Sequence, residues 1–371
     1  MKKNTYLHSF SEVKPKYHLS QERLNEWTVM AHSRTEHLLT GEALNEEELS
    51  RYCVSANQIK QRYFECHDVD ENWKEHRVYK LTSDSPMGVD IQERNLIAQE
   101  CSLGVLESLY TREGRSTPDH LIHVSCTGYT SPSSPQLFFQ ARQEALSLTH
   151  FYHMGCYASL PAVRAAKAMI GSEEEERVDI IHNETCSLHM DSSLHLPEQM
   201  VVQTLFADGH IAYRASQEPS GRSFQVKMVH EKLVPDSSND MTWIPGPYGM
   251  KMTLSRYVPL KIRSHIPDFI QELCERAEVN WDELKRYGIF AIHPGGPKII
   301  ESSQRTLDLR DDQLQYSRLI LKERGNMSSA TLPHIWQEIL KSNAPAGTKV
   351  LSLAFGPGLT IFGSIFEVVG E

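Results

Sequence analysis

The stretch Leu121-Ile122-His123-Val124-Ser125-Cys126, followed by Thr127-Gly128, decides the fold class. It is a short apolar run with β-branched residues that ends at a Thr-Gly pair, and it reads as a buried strand. Ahead of it the chain reads as helical. Ser20 can cap a helix carrying Leu24, Trp27 and Ala31 at helical spacing. A second helical stretch is predicted over 45–62, a loop over 83–88, and helical periodicity again over 94–109. Beyond the strand, Ser131-Pro132-Ser133-Ser134-Pro135 reads as a turn or helix start, 137–148 as a helix and Val178-Asp179-Ile180-Ile181-His182 as another strand. Segments 200–206 and 210–215 flank an expected turn at Ala207-Asp208-Gly209. Gly288-Ile289-Phe290-Ala291-Ile292 is an apolar strand ending at His293, 332–342 is a helix, and strands over 350–355 and 360–369 are separated by Gly356-Pro357-Gly358. Strands alternating with helices argue for an α/β protein with mixed sheets.

A chain of 371 residues that is 40% hydrophobic can bury a large core and exceeds the usual size of one domain. Two halves of similar size are the natural expectation. A formal net charge of −10 provides no electrostatic footprint for nucleic acid, so no nucleic-acid partner is expected. The segment after Met1-Lys2-Lys3 lacks the apolar run of a signal peptide, and no stretch is long enough to span a bilayer. The expected location is the cytoplasm. Seven cysteines are scattered without a CxxC pair, so neither a zinc ribbon nor a redox dithiol is indicated, no metal is expected, and the cysteines should be free thiols. The run Glu173-Glu174-Glu175-Glu176 reads as a solvated loop.

Three residues could carry chemistry. Cys156 follows Gly155 and precedes the Ala-rich segment 158–169, in which Pro161 fits only near a helix start. A thiolate there would gain from unsatisfied N–H groups and the helix dipole, and it could hold an acyl group covalently. The competing readings are a small core cysteine at this position and Cys126, at a strand end, as the nucleophile. His293 ends a strand and precedes Pro294-Gly295-Gly296-Pro297, where two glycines allow close approach of a ligand. Asn326, before the 332–342 helix, reads either as an N-cap or as an amide donor that completes an oxyanion hole with a neutral histidine.

Taken together, Gly155-Cys156-Tyr157-Ala158, Leu205-Phe206-Ala207-Asp208-Gly209, His293-Pro294-Gly295-Gly296-Pro297, Gly325-Asn326-Met327-Ser328-Ser329-Ala330 and Phe355-Gly356-Pro357-Gly358 resemble the type III polyketide synthases, the chalcone-synthase-like ketosynthases. Cys126-Thr127-Gly128-Tyr129 looks more like the bacterial, pyrone- or alkylresorcinol-forming members than the plant ones. The resemblance covers nearly the whole chain. It implies a thiolase fold of layered αβαβα architecture, with an N-terminal half over 1–215 carrying the cysteine and a C-terminal half over 216–371 carrying the histidine and asparagine. It also implies a homodimer, and a catalytic set of Cys156, His293 and Asn326. Phe206 takes a gatekeeper position. Gly356, Pro357, Gly358 and Ser328 shape the chamber, and Cys186 and His189 fall where plant enzymes place small chamber-lining residues. Arg51 matches one residue of a basic cluster for coenzyme A, whereas Glu48 and Ser55 replace lysines of that cluster.

That change leaves room for an acyl carrier protein as donor. No cofactor is implied beyond acyl thioesters on coenzyme A or a carrier protein. The expected reaction is a Claisen condensation through an acyl-cysteine that joins β-ketoacyl chains and closes an α-pyrone. The alternatives are an iterative, malonyl-coenzyme-A-dependent alkylpyrone or alkylresorcinol synthase, a thioester hydrolase, or a non-condensing partner protein of the same fold.

Overall fold

The computed structural model describes residues 4–172 and 176–370; Glu173, Glu174 and Glu175 of the acidic run lie outside the described residues. Thirteen strands occur among the described residues: β1 (Tyr6–Val13), β2 (Tyr17–Ser20), β3 (Gln61–Phe64), β4 (His120–Ser125), β5 (Ser147–Tyr152), β6 (Arg177–Thr185), β7 (Asp208–Ser216), β8 (Ser223–Leu233), β9 (Met241–Gly246), β10 (Gly249–Leu254), β11 (Ile289–Ile292), β12 (Lys349–Gly356) and β13 (Thr360–Val369). Nine of them form one mixed sheet in the order β11-β12-β13-β8-β1-β7-β6-β4-β5, with β4 parallel to both β5 and β6, and β11 parallel to β12. The link between β1 and β8 is two residue pairs, Tyr6 with Gln225 and Leu7 with Phe224. The sheet therefore reads as two groups, β1-β7-β6-β4-β5 and β8-β13-β12-β11, joined at a narrow seam.

The period-2 pattern of the strands explains the layering. Ile122, Val124, Ile180, Ile211 and Tyr213 of the first group share a core with Val350, Ala354, Phe362 and Phe366 of the second. Between them lie two helices, Ser159–Gly171 and Thr331–Lys341, which bring Leu160, Val163, Ile170, Leu332, Ile335 and Trp336 into that core. The alternate residues face outward. Leu121, Ile181 and Ala212 pack under helices Ile91–Leu106 and Ser134–Ala141. Leu351, Leu353, Ile361 and Ile365 pack under helix Val258–Ala277. The result is the αβαβα order of a thiolase fold. Each fully buried aliphatic or aromatic side chain contributes about 1.5–3 kcal/mol, so the central helices are held on two faces at once.

Three expectations need correction. The helix over 45–62 is only Glu46–Ser50, capped by Asn45. Beyond it, tertiary partners take the backbone groups: Val54 N–H donates to Thr204 Oγ1 (3.0 Å) and Lys60 N–H to the Lys322 carbonyl (2.7 Å), after which β3 pairs with β2. The helix over 137–148 stops at Ala141, near Gln143 in a left-handed conformation (φ 56°). Thr149, Phe151 and Tyr152, good strand formers, then extend as β5 beside β4. The turn at 207–209 is instead the start of β7, where the buried Asp208 carboxylate accepts the N–H groups of Glu65 and Ser187.

Candidate active site

Gly155 adopts φ 92°, and a Cβ built on it would lie 2.7 Å from Pro357 Cδ. Both the left-handed conformation and the contact require glycine. The chain then turns through 156–158 into helix Ser159–Gly171, so Cys156 precedes the helix proper. The Gly155 N–H donates to Cys126 Sγ (3.0 Å). Cys156 is 8% exposed and lines a chamber of about 20 Å³ together with Cys126, Cys186, Phe206, Trp243, Ser328 and Pro357. That space suits one water-sized guest, and the flexible Met241 and Met252 side chains complete its wall.

The expected thiolate is not the resting state. Burial pushes the Cys156 thiol up to about 12; the Ser328 hydroxyl and the Asn326 amide oppose that shift, and the nearby Glu184 carboxylate adds to it. At neutral pH only a small fraction of Cys156 is thiolate. That fraction grows about tenfold per pH unit below the pKa. Alkylation of Cys156 by iodoacetamide, followed by peptide mapping, is expected to accelerate about tenfold from pH 7 to 8 and again to pH 9 without a plateau. A plateau at or below pH 8 would show a thiolate already formed.

Asn326 is fully buried. Its Oδ1 accepts the Ser328 N–H (2.9 Å) and the Thr331 hydroxyl (3.4 Å), as an N-cap oxygen would. Its Nδ2 is near enough to the Cys156 sulfur to favour the thiolate, yet makes no hydrogen bond of ordinary geometry. The cap reading and the donor reading thus describe opposite ends of one amide. Ser328, at φ 49°, presents its hydroxyl to both Cys156 and Cys126. The turn is fixed from below by Glu184, which accepts the N–H and hydroxyl of Ser329 on one oxygen, and on the other the Cys126 N–H (3.0 Å) and Thr127 hydroxyl (2.7 Å).

His293 caps β11, where its N–H donates to the Leu353 carbonyl (2.7 Å). The ring is buried and neither ring nitrogen has a hydrogen-bond partner. Burial lowers its pKa to about 3, so the ring is neutral at working pH and carries one N–H free to donate. An unpartnered, buried donor costs about 1–3 kcal/mol, a cost that a ligand oxygen would relieve. Gly295 and Gly296 after it keep the approach open, with Gly296 next to Leu205.

Beyond the chamber lies a larger cavity of about 280 Å³, walled by Leu24, Trp27, Val202 and Met190 among others. Phe206, Cys186 and Trp243 line both spaces and form the partition between them. Phe206 thus stands between the two spaces. His189 lines the larger cavity; its Nε2–H donates to the Thr127 carbonyl (2.5 Å), leaving Nδ1 unpartnered. Gly356 is held against the Tyr157 ring, and Gly358 donates its N–H to the Met241 carbonyl (3.1 Å). Arg51 lines neither space; it is exposed and paired with Glu47 (2.6 Å). Trp243 and Glu184 were not singled out from the sequence. A glutamate closing the apolar run of β6 was the available signal for Glu184, and there was none for Trp243, whose indole N–H reaches the Cys126 carbonyl (2.8 Å) across 117 residues.

Residues 225–370 match the family described as chalcone and stilbene synthases, C-terminal domain. Type III polyketide synthase C of Arabidopsis thaliana is 28% identical over 267 residues, covering 68% of this chain and 69% of the relative. Type III polyketide synthase A of the same plant is 28% identical over 286 residues, covering 73% and 70%. The chain is a homologue of the type III polyketide synthases. It is, with them, an acyltransferase-type condensing enzyme. Solved type III synthases share its fold: PKS-I of the brown alga Ectocarpus siliculosus (TM-score 0.85, 20% identity, 100% of this chain and 99% of that one) and 1,3,6,8-tetrahydroxynaphthalene synthase of Streptomyces coelicolor A3(2) (TM-score 0.79, 21% identity, 98% and 99%). No helix among the described residues of this type III synthase homologue is long and apolar enough to cross a membrane.

Proposed function

We propose that this type III synthase homologue joins two β-ketoacyl chains through an acyl-Cys156 and closes an α-pyrone. Cys156 Sγ exchanges with the first thioester, so that the acyl–sulfur bond forms at the enzyme and the carrier thiol leaves. The second β-ketoacyl thioester lays its carbonyl oxygen against the His293 N–H and Asn326 Nδ2, and the methylene between its two carbonyls loses a proton to water, which the Cys156 thiolate released in the next step takes back up. The enolate carbon attacks acyl-Cys156, forming the carbon–carbon bond and releasing the thiol. An enol oxygen of the joined chain then attacks the remaining thioester, which closes the lactone and frees the second carrier thiol.

The observation carrying this reading is the partition of Phe206, Trp243 and Cys186 between the Cys156 chamber and an apolar cavity of about 280 Å³, which offers an acyl chain a place adjoining the nucleophile. Arg51, neutralised by Glu47 on a helix that also bears Glu46 and Glu48, makes a poor site for the phosphates of coenzyme A and favours a carrier-protein donor. The reading brings with it a homodimeric, cytoplasmic enzyme of the bacterial, pyrone-forming branch.

Loss of either donor should slow condensation about 10²–10³-fold. His293→Ala and Asn326→Ala are therefore expected to form product at or below one hundredth of the parent rate while Cys156 still becomes acylated, as read by intact-protein mass spectrometry. The donor and chemistry are tested by supplying β-ketoacyl chains on coenzyme A or on a carrier protein, with and without malonyl-coenzyme A. A pyrone formed without malonyl-coenzyme A supports chain fusion; a product that requires it makes the enzyme an iterative synthase; free acid alone makes it a hydrolase.

A further inference from the structure

Arg62 is buried in the wall of the larger cavity, and no carboxylate lies within ion-pair distance of it among the described residues. Burial lowers its pKa to about 10, so it remains a cation at neutral pH. An unpaired buried cation is costly, and what Arg62 holds is specific. Its Nε donates to Gln21 Oε1 (2.8 Å), and its Nη1 donates to the carbonyls of Gln203 (3.1 Å) and Phe206 (2.8 Å). Those carbonyls end helix Pro197–Leu205, whose last turn exposes unsatisfied acceptors and the negative end of the helix dipole.

All four carbonyls from 203 to 206 are satisfied. Arg62 takes the first and last, Gln21 Nε2 takes Thr204 (2.7 Å), and the backbone N–H of Asn326 takes Leu205 (3.1 Å). The Asn326 carbonyl in turn accepts the Ala207 N–H (2.9 Å). Gly325, at φ 74°, lets Asn326 lie this close: a Cβ there would sit 3.0 Å from the Leu205 oxygen and 3.1 Å from Arg62 Cγ. One guanidinium therefore fixes the segment that bears Phe206 and to which the backbone of Asn326 is hydrogen-bonded.

We infer that Arg62 is a positioning residue for the condensation step: by capping helix Pro197–Leu205 it sets where the Asn326 amide points. This rests on the role given to Asn326 above. Arg62 touches neither the nucleophile nor the acyl carbonyl, so acylation of Cys156 should depend on it far less than enolate stabilisation does. A displacement of about 1 Å in such a donor can cost about a hundredfold.

The test compares R62M and R62K with the parent and with N326A, measuring acylation of Cys156 by intact-protein mass spectrometry and product formation in the same samples, with thermal unfolding of each variant as a check on folding. R62M is expected to acylate within about threefold of the parent and to condense at least about tenfold more slowly, with KM little changed. R62K keeps the charge but lacks the fork, so it should recover part of the loss. If R62M does not fold, R62K carries the test, and its condensation should still fall more than its acylation. Proportional loss of both steps, or loss of neither, overturns the proposal when N326A is itself defective in condensation. Full condensation by N326A would instead overturn the role of Asn326.

Discussion

Cys156→Ala is expected to lower product formation by about 10³-fold or more and to leave no covalent acyl adduct in the chamber, while the protein folds with nearly parental thermal stability. The substitution removes one sulfur from a side chain that packs against a space of about 20 Å³, so the packing loss is small. The chemical loss is total, because no other group combines nucleophilicity with access. Cys126 is the rival. It is more deeply buried than Cys156, its thiol is driven further up by burial and by Glu184, and its sulfur already accepts the Gly155 N–H. Cys126→Ala should therefore retain acylation at position 156. An adduct on Cys126 in the C156A protein, together with retained turnover, would reverse the assignment.

Acid is expected to unfold the protein well above the carboxylate range. Burial lowers His32, His189 and His334 to about 4, and His123 and His293 to about 3. In the unfolded chain each ring takes up a proton near pH 6.5. Between about 6.5 and the folded values the unfolded state binds more protons, so stability falls as pH falls through that window. At pH 5 each ring costs about 2 kcal/mol, and the five together cost of order 10, comparable to a typical total of about 5–15. Asp208 works in the other direction. Burial raises it to about 6, so the folded state gains from its protonation as pH drops toward 3.8; Glu184, also raised by burial, adds to this gain, and the two are outnumbered by the five histidines. Circular dichroism should show cooperative unfolding between about pH 5 and 6 at room temperature, with full structure at pH 7.5. A melting temperature at pH 5 within about 3 °C of that at pH 7.5 would contradict it. The same shift keeps His293 neutral wherever the protein is folded, as a donor to an enolate oxygen requires.

Strands β4, β6, β11 and β12 were legible in the sequence because they are buried on both faces and so read as short continuous apolar runs. β5 went unread: its first two residues fell inside the expected 137–148 helix and the rest were given no element. Its residues are only partly buried at the sheet edge, so its polar members imitate a helix face. The hairpin of β9 and β10 left no mark. Met241, Trp243 and Met252 turn inward there, but exposed Ile244 and Lys251 obscure the alternation.

The candidate site divides along the same line. Cys156 follows a glycine ahead of an Ala-rich helix, His293 ends an apolar strand two residues before a glycine pair, and Asn326 follows Gly325 at a helix end, all of which local patterning can register. Arg62, Glu184 and Trp243 act through partners 41 to 145 residues away, such as Gln21, Phe206, Ser329 and Cys126, and no local pattern encodes those meetings. Arg62 in particular lies in a stretch read as helix, where an arginine is an ordinary surface residue.

The most direct test of the central claim, that Cys156 carries the acyl chain into carbon–carbon bond formation, is a single-turnover experiment. Enzyme is acylated with an isotopically labelled β-ketoacyl donor, freed of excess donor, mapped by peptide mass spectrometry, and then given an unlabelled second chain. The expected result is label on the Cys156 peptide alone, leaving the enzyme at the rate at which one half-labelled joined product appears. Label that departs only as free acid, or a joined product formed without passing through Cys156, would contradict it.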